Sequence, residues 1–108
     1  MKRGDVVTVA LPGDLGKPRP VLVVQADLFN ETHASVTVIP LSSTIADAPL
    51  FRITLDPSSE NGLRKVSQIM VDRVMSVRRE RLGEVIGQLG DDTMVRVSRT
   101  LAVWLGIA

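Results

Sequence analysis

At 108 residues, with 44% hydrophobic and 23% charged side chains, the chain suits one domain, residues 1–108, with its own core. It has no cysteine and one histidine, His33, which removes disulfides, thiolate catalysis, cysteine-ligated zinc and a histidine-rich metal site. The net charge of +1 argues against bulk electrostatic binding of nucleic acid, and no apolar run approaches the ~20 residues of a membrane span. No signal-peptide pattern opens the chain, so a reducing, cytoplasmic location is expected.

Asp5 to Leu11 is β-branched and alternating, and Pro12-Gly13-Asp14 ends it with turn chemistry. Pro20 to Val24 is a continuous apolar run, as suits a strand buried on both faces. The intervening loop carries glycines, prolines and basic residues, and functional groups gather in loops of that kind. A turn is expected around Asn30 to His33, and a third strand over Ser35 to Leu41. Phe51 to Leu55 alternates, and Asp56 to Gly62 reads as a loop. Further short strands are expected at Val66 to Val71, Val74 to Val77 and Glu84 to Gly87. Asp91-Asp92 offers an N-cap. From there Met94, Val97, Leu101, Trp104 and Leu105 form a helical apolar stripe that Gly106 stops. Many short strands and one C-terminal helix predict a mainly β molecule, a small curved sheet or barrel.

Charge is uneven along the chain. Residues 64–81 hold Arg64, Lys65, Arg73, Arg78, Arg79 and Arg81 against Asp72 and Glu80, enough for a local basic surface or for a set of solvated loop charges. Arg19 lies between Pro18 and Pro20, and both prolines stiffen the backbone that presents it. A guanidinium matches phosphate with a planar fork of donors; the alternative is a pairing with Asp14 or Asp5. Ser42-Ser43-Thr44 follows the third strand and is fit either to bind phosphate or to make a local turn. Asp72 interrupts an apolar run and has three readings: facing solvent, pairing with an arginine, or lining a site. His33 reads as a surface residue and Trp104 as core.

Taken together, Arg3-Gly4-Asp5-Val6-Val7, Arg19-Pro20-Val21-Leu22-Val23-Val24-Gln25 and Val38-Ile39-Pro40-Leu41-Ser42-Ser43 resemble, in order and spacing, the MazF/PemK toxins. Val71-Asp72-Arg73-Val74-Met75-Ser76-Val77, Arg81-Leu82-Gly83 and the closing Leu-Gly-Ile extend the resemblance over nearly the whole chain. It implies an SH3-like small β-barrel with short helices and a C-terminal helix, assembled as a homodimer. It also implies a sequence-specific endoribonuclease, metal-independent and without cofactor. The 2′-hydroxyl of single-stranded RNA would attack the adjacent phosphate to leave a 2′,3′-cyclic phosphate, and a cognate antitoxin would occupy the RNA groove. Arg19, Ser42 and Asp72 fall on the family's catalytic positions, and Asp14, Lys17, Ser43, Thr44 and Gln68 are the expected RNA contacts. The loop before Arg19 departs from the family, lacking its Glu-Gln pair, and Met70 stands where some members carry arginine. The closing Trp104-Leu105-Gly106-Ile107 also resembles the end of CcdB-type gyrase poisons, a non-catalytic alternative on the same fold.

Overall fold

The computed structural model describes residues 1–10 and 17–108. Strands β1 (Asp5–Val9) and β2 (Arg19–Val23) are followed by a one-turn helix α1 (Asp27–Asn30) and the long strand β3 (Ser35–Ser42). Then come β4 (Arg52–Leu55), β5 (Ser67–Met70), β6 (Met75–Arg78), β7 (Leu82–Gln88) and the C-terminal helix α2 (Asp91–Leu105). All strand pairings are antiparallel, in the order β4-β5-β3-β2-β1-β7. The long β3 is shared: β6 pairs its first half and β5 its last two residues.

That sharing explains the continuous apolar runs. Alternate residues of a strand face opposite sides, and here both sides are covered. Leu22, Val24, Ile39, Leu41, Ile53 and Ile69 point into one core, closed by Met94 and Val97 of α2. Val7, Val9, Val21, Val23, Val36 and Val38 build a second core on the other face. A fully buried valine or leucine contributes roughly 1.5–3 kcal/mol, so β2 and β3, which supply both cores, anchor the sheet.

Strands β4 and β7, at the two ends of that order, are joined by a loop rather than by a ladder. The amide of Gln88 donates to the carbonyl of Glu60 at 2.8 Å. The backbone there is too close for side chains: a Cβ on Gly62 (φ 70°) would lie 2.0 Å from the Ile86 carbonyl oxygen, and one on Gly87 2.3 Å from the Asn61 carbonyl carbon. Buried Asn61 rivets this loop. Its Oδ1 accepts from the amides of Ser58 and Leu63, and its Nδ2 donates to the Asp56 carbonyl.

Several boundaries differ from the sequence reading for physical reasons. The expected strand over Val66 to Val71 stops at Met70, because Val71–Arg73 form a 3-10 turn between β5 and β6. Asp72 therefore marks a corner. Helix α1 replaces part of the expected turn; the Asp27 carboxylate accepts from the Arg3 amide at 2.6 Å and from Asn30 Nδ2 at 3.0 Å. The N-cap of α2 is Gly90, with no side-chain cap bond, so Asp91 and Asp92 instead occupy the first turn, where acids favour the helix dipole. Trp104, expected in the core, is 46% exposed and meets Phe51 edge-on at 5.1 Å. Burial along α2 fades beyond Val97, with Leu101 half-buried and Leu105 exposed. Helix α2 ends at Gly106 (φ 74°), where the amides of Gly106 and Ile107 donate to Val103 and Ala102 in a Schellman pattern.

Candidate active site

Arg19 opens β2 opposite Val9 of β1, and Pro20 sits opposite Thr8. On the other side, β2 pairs β3 through Val21↔Pro40, Leu22↔Ile39 and Val23↔Val38. Continuing that register by two residues brings Ser42 across from Arg19. The two residues thus lie on one face of adjacent strands, beyond the last pair of the β2–β3 ladder. An open cavity of about 490 Å³ occupies this place and is lined by Arg19, Ser42 and Thr44. Val21, Pro40, Met70 and Met75 form its apolar floor. Arg52 and Arg73 stand on its far side.

Ser42 is half-buried and works locally: its Oγ accepts from the Thr44 amide at 3.0 Å. The hydroxyl proton is still available to donate into the cavity. The turn reading and the phosphate reading of Ser42-Ser43-Thr44 are therefore compatible, because the turn fixes where the hydroxyl points. Ser43 and Lys17 are exposed and do not line the cavity, and Asp14 lies outside the described residues.

Asp72 takes the second of its three readings. Its Oδ1 accepts from Arg52 Nε at 2.8 Å and its Oδ2 from Arg52 Nη2 at 3.2 Å, a two-point fork. These charge-assisted bonds hold its carboxyl below the ordinary value of 3.8. A proton acceptor serves best with a pKa near the working pH; a carboxylate with both oxygens engaged and its pKa lowered is a poor base. Asp72 holds an arginine instead of facing the cavity itself.

Gln68 also departs from expectation. It is 4% exposed, and both ends of its amide are occupied: Oε1 accepts from the Ala46 amide, and Nε2 donates to the Ala46 carbonyl and Thr54 Oγ1. It secures Ala46, part of the cavity wall, and does not itself line that cavity. Both Nε2 protons are engaged, and Oε1 already accepts one bond.

Comparison with known proteins agrees with this architecture. Residues 2–105 match the family model of the PemK-like, MazF-like toxins of type II toxin-antitoxin systems. The chain is 49% identical over 109 residues to a probable endoribonuclease MazF of Mycolicibacterium smegmatis, covering 100% of this chain and 99% of that one. The chain belongs to the PemK/MazF family. An endoribonuclease EndoA of Bacillus subtilis is 27% identical over 111 residues, covering 99% and 96% of the two chains. Among solved structures, a mycobacterial endoribonuclease in complex with its cognate antitoxin superposes with a TM-score of 0.84 at 24% identity, over 100% of this chain and 97% of that one. The family match favours an endoribonuclease over the gyrase-poison alternative.

Within this PemK/MazF-type fold, sequence reasoning missed Arg52 and Arg73. The signal for Arg52 was present: alternation in Arg52-Ile53-Thr54 puts Arg52 on the face opposite buried Ile53. Which cavity that face serves depends on β4 pairing β5, with Arg52 opposite Met70, a long-range fact. Arg73 was visible only as one member of a basic stretch.

Proposed function

We propose that this toxin cuts single-stranded RNA in the Arg19–Ser42 groove, without metal or other cofactor, and that residues 1–108 act as one domain. The observation that carries the reading is the convergence of Arg19 and Ser42 from adjacent strands on an open cavity with an apolar floor. In the reaction the 2′-hydroxyl oxygen attacks the neighbouring phosphorus and the bond to the 5′-oxygen breaks. The 2′-hydroxyl loses a proton and the departing 5′-oxygen gains one, leaving a 2′,3′-cyclic phosphate and a 5′-hydroxyl. Negative charge builds on the phosphorane oxygens, where a fixed guanidinium is worth most. Arg19 supplies that charge and a donated proton, and the Ser42 hydroxyl steadies the same phosphate. Family membership further supports a cognate antitoxin covering the groove, a homodimer as the working form, and a cytoplasmic site of action; no described helix is long and apolar enough to cross a membrane.

The test is incubation of the wild type and Arg19→Ala with mixed single-stranded RNA in EDTA. Wild type should release fragments ending in cyclic phosphate. Arg19→Ala should be slower by at least about 100-fold, the scale for losing a charge-stabilising donor, with an unchanged melting temperature because Arg19 is exposed. Intact RNA with wild type would overturn the reading.

A further inference from the structure

We infer that Arg52 and Arg73, with Asp72 as a positioning residue, form a second phosphate subsite that grips an RNA phosphate other than the one being cut; the inference rests on the groove being the RNA site. The groove is too wide for one phosphate. Continuing the strand registers, Val21, Pro40, Met70 and Arg52 lie in one row across β2, β3, β5 and β4. Three strand spacings separate the ends of that row, about 14 Å along the sheet, and Arg19 lies a further two residues along β2. Yet all three arginines line the same cavity. Such spacing suits a chain of phosphates, one at each end.

The chemistry of the far end differs from that of Arg19. Asp72 occupies the Nε and Nη2 edge of Arg52, and Nη1 has no partner among the described residues. Arg52 is only 13% exposed and is pinned, with one edge left to donate. The Arg52–Asp72 pair is neutral as a unit. Exposed Arg73, which makes no hydrogen bond to any described residue, supplies the net positive charge. One arginine thus gives direction and the other gives charge.

The experiment measures binding of a randomised single-stranded RNA, 2′-O-methylated so that it cannot be cleaved, over a range of salt concentrations. Arg52→Gln and Arg73→Gln should each weaken binding severalfold and reduce the salt slope by about 0.7, the value for one phosphate contact on a single strand. Arg78→Gln removes an exposed charge outside the cavity and should leave the slope as it is; an equal loss there would mean a diffuse field and overturn the subsite. Asp72→Asn gives the sharpest contrast. It adds net positive charge, so simple electrostatics calls for tighter binding, whereas loss of the clamp calls for weaker binding despite the added charge. Tighter or equal binding by folded Asp72→Asn would overturn the positioning role. Thermal melting checks folding, and exposed Arg73 gives a variant that leaves the fork intact. Binding with these effects but no cleavage of unmodified RNA would overturn the endoribonuclease reading and leave the subsite standing. Cleavage with wild-type salt slopes for both arginine variants would do the reverse.

Discussion

Pro18 and Pro20 flank Arg19, and Pro20 has no amide hydrogen to give a ladder. The arginine therefore stands at the start of a strand, opposite Val9, on backbone with few alternatives, which suits a group that must meet charge without first reorganising. Ser42 is held differently, by its own turn to the Thr44 amide. Losing a neutral donor costs about 0.5–1.5 kcal/mol, so Ser42→Ala should slow RNA cleavage by roughly two- to tenfold. A loss equal to that of Arg19→Ala, measured by single-turnover cleavage, would mean that the serine does more than steady the phosphate. For Asp72 the prediction concerns acid. Its folded pKa lies below the ordinary 3.8 because Arg52 bonds its carboxylate, so its contribution to stability is present above that value and lost as pH falls through the lower folded one. The melting-temperature gap between wild type and Asp72→Asn should be widest near neutral pH and close below 3.8. A gap independent of pH would show that the fork does not stabilise the fold.

Among the elements, β2 and β3 were the most legible. The run Pro20 to Val24 reads as unbroken and apolar and Ser35 to Leu41 reads as a strand, and both strands supply two cores. The C-terminal helix was equally plain in its first three turns. Illegible features depended on pairing at a distance. The corner at Val71–Arg73 looks like strand because its residues are β-formers, and only the meeting of β3 with both β5 and β6 forces the turn. The glycines of the β4–β7 junction look like ordinary loop glycines until Gly62 and Gly87 are found against each other's neighbours. Gly87→Ala should be severely destabilising, by about 3 kcal/mol or more, because the Asn61 backbone occupies the place of the new methyl. Ala at Gly90, whose Cβ would meet nothing within 4 Å, should cost far less. Equal denaturant midpoints for the two variants would refute that account of the junction.

At the scale of the whole molecule, the groove and the sheet share the same strands. Residues of β2 and β3 fill a core on each face, and the row through Val21, Pro40 and Met70 also lines the cavity. The sequence made Arg19 and Ser42 candidates because they sit at the ends of β2 and β3, and both line the cavity. It did not single out Arg52, whose strand is four residues long and reaches the cavity only through its pairing with β5. Asp72 was noticed as an oddity in an apolar stretch, and its partner lies 20 residues earlier.

The glycine junction between β4 and β7 has a further bearing on motion. A ladder opens cooperatively, several amides at once, but among the described residues this join rests on one backbone hydrogen bond from Gln88 to Glu60 and on close contact. In deuterated water the Gln88 amide should exchange by local breathing, long before that of Leu22 in the middle of the sheet. The protein would then carry a hinge line opposite its most rigid strands. Its two flaps can part there while β2 and β3, with the groove they carry, keep their shape.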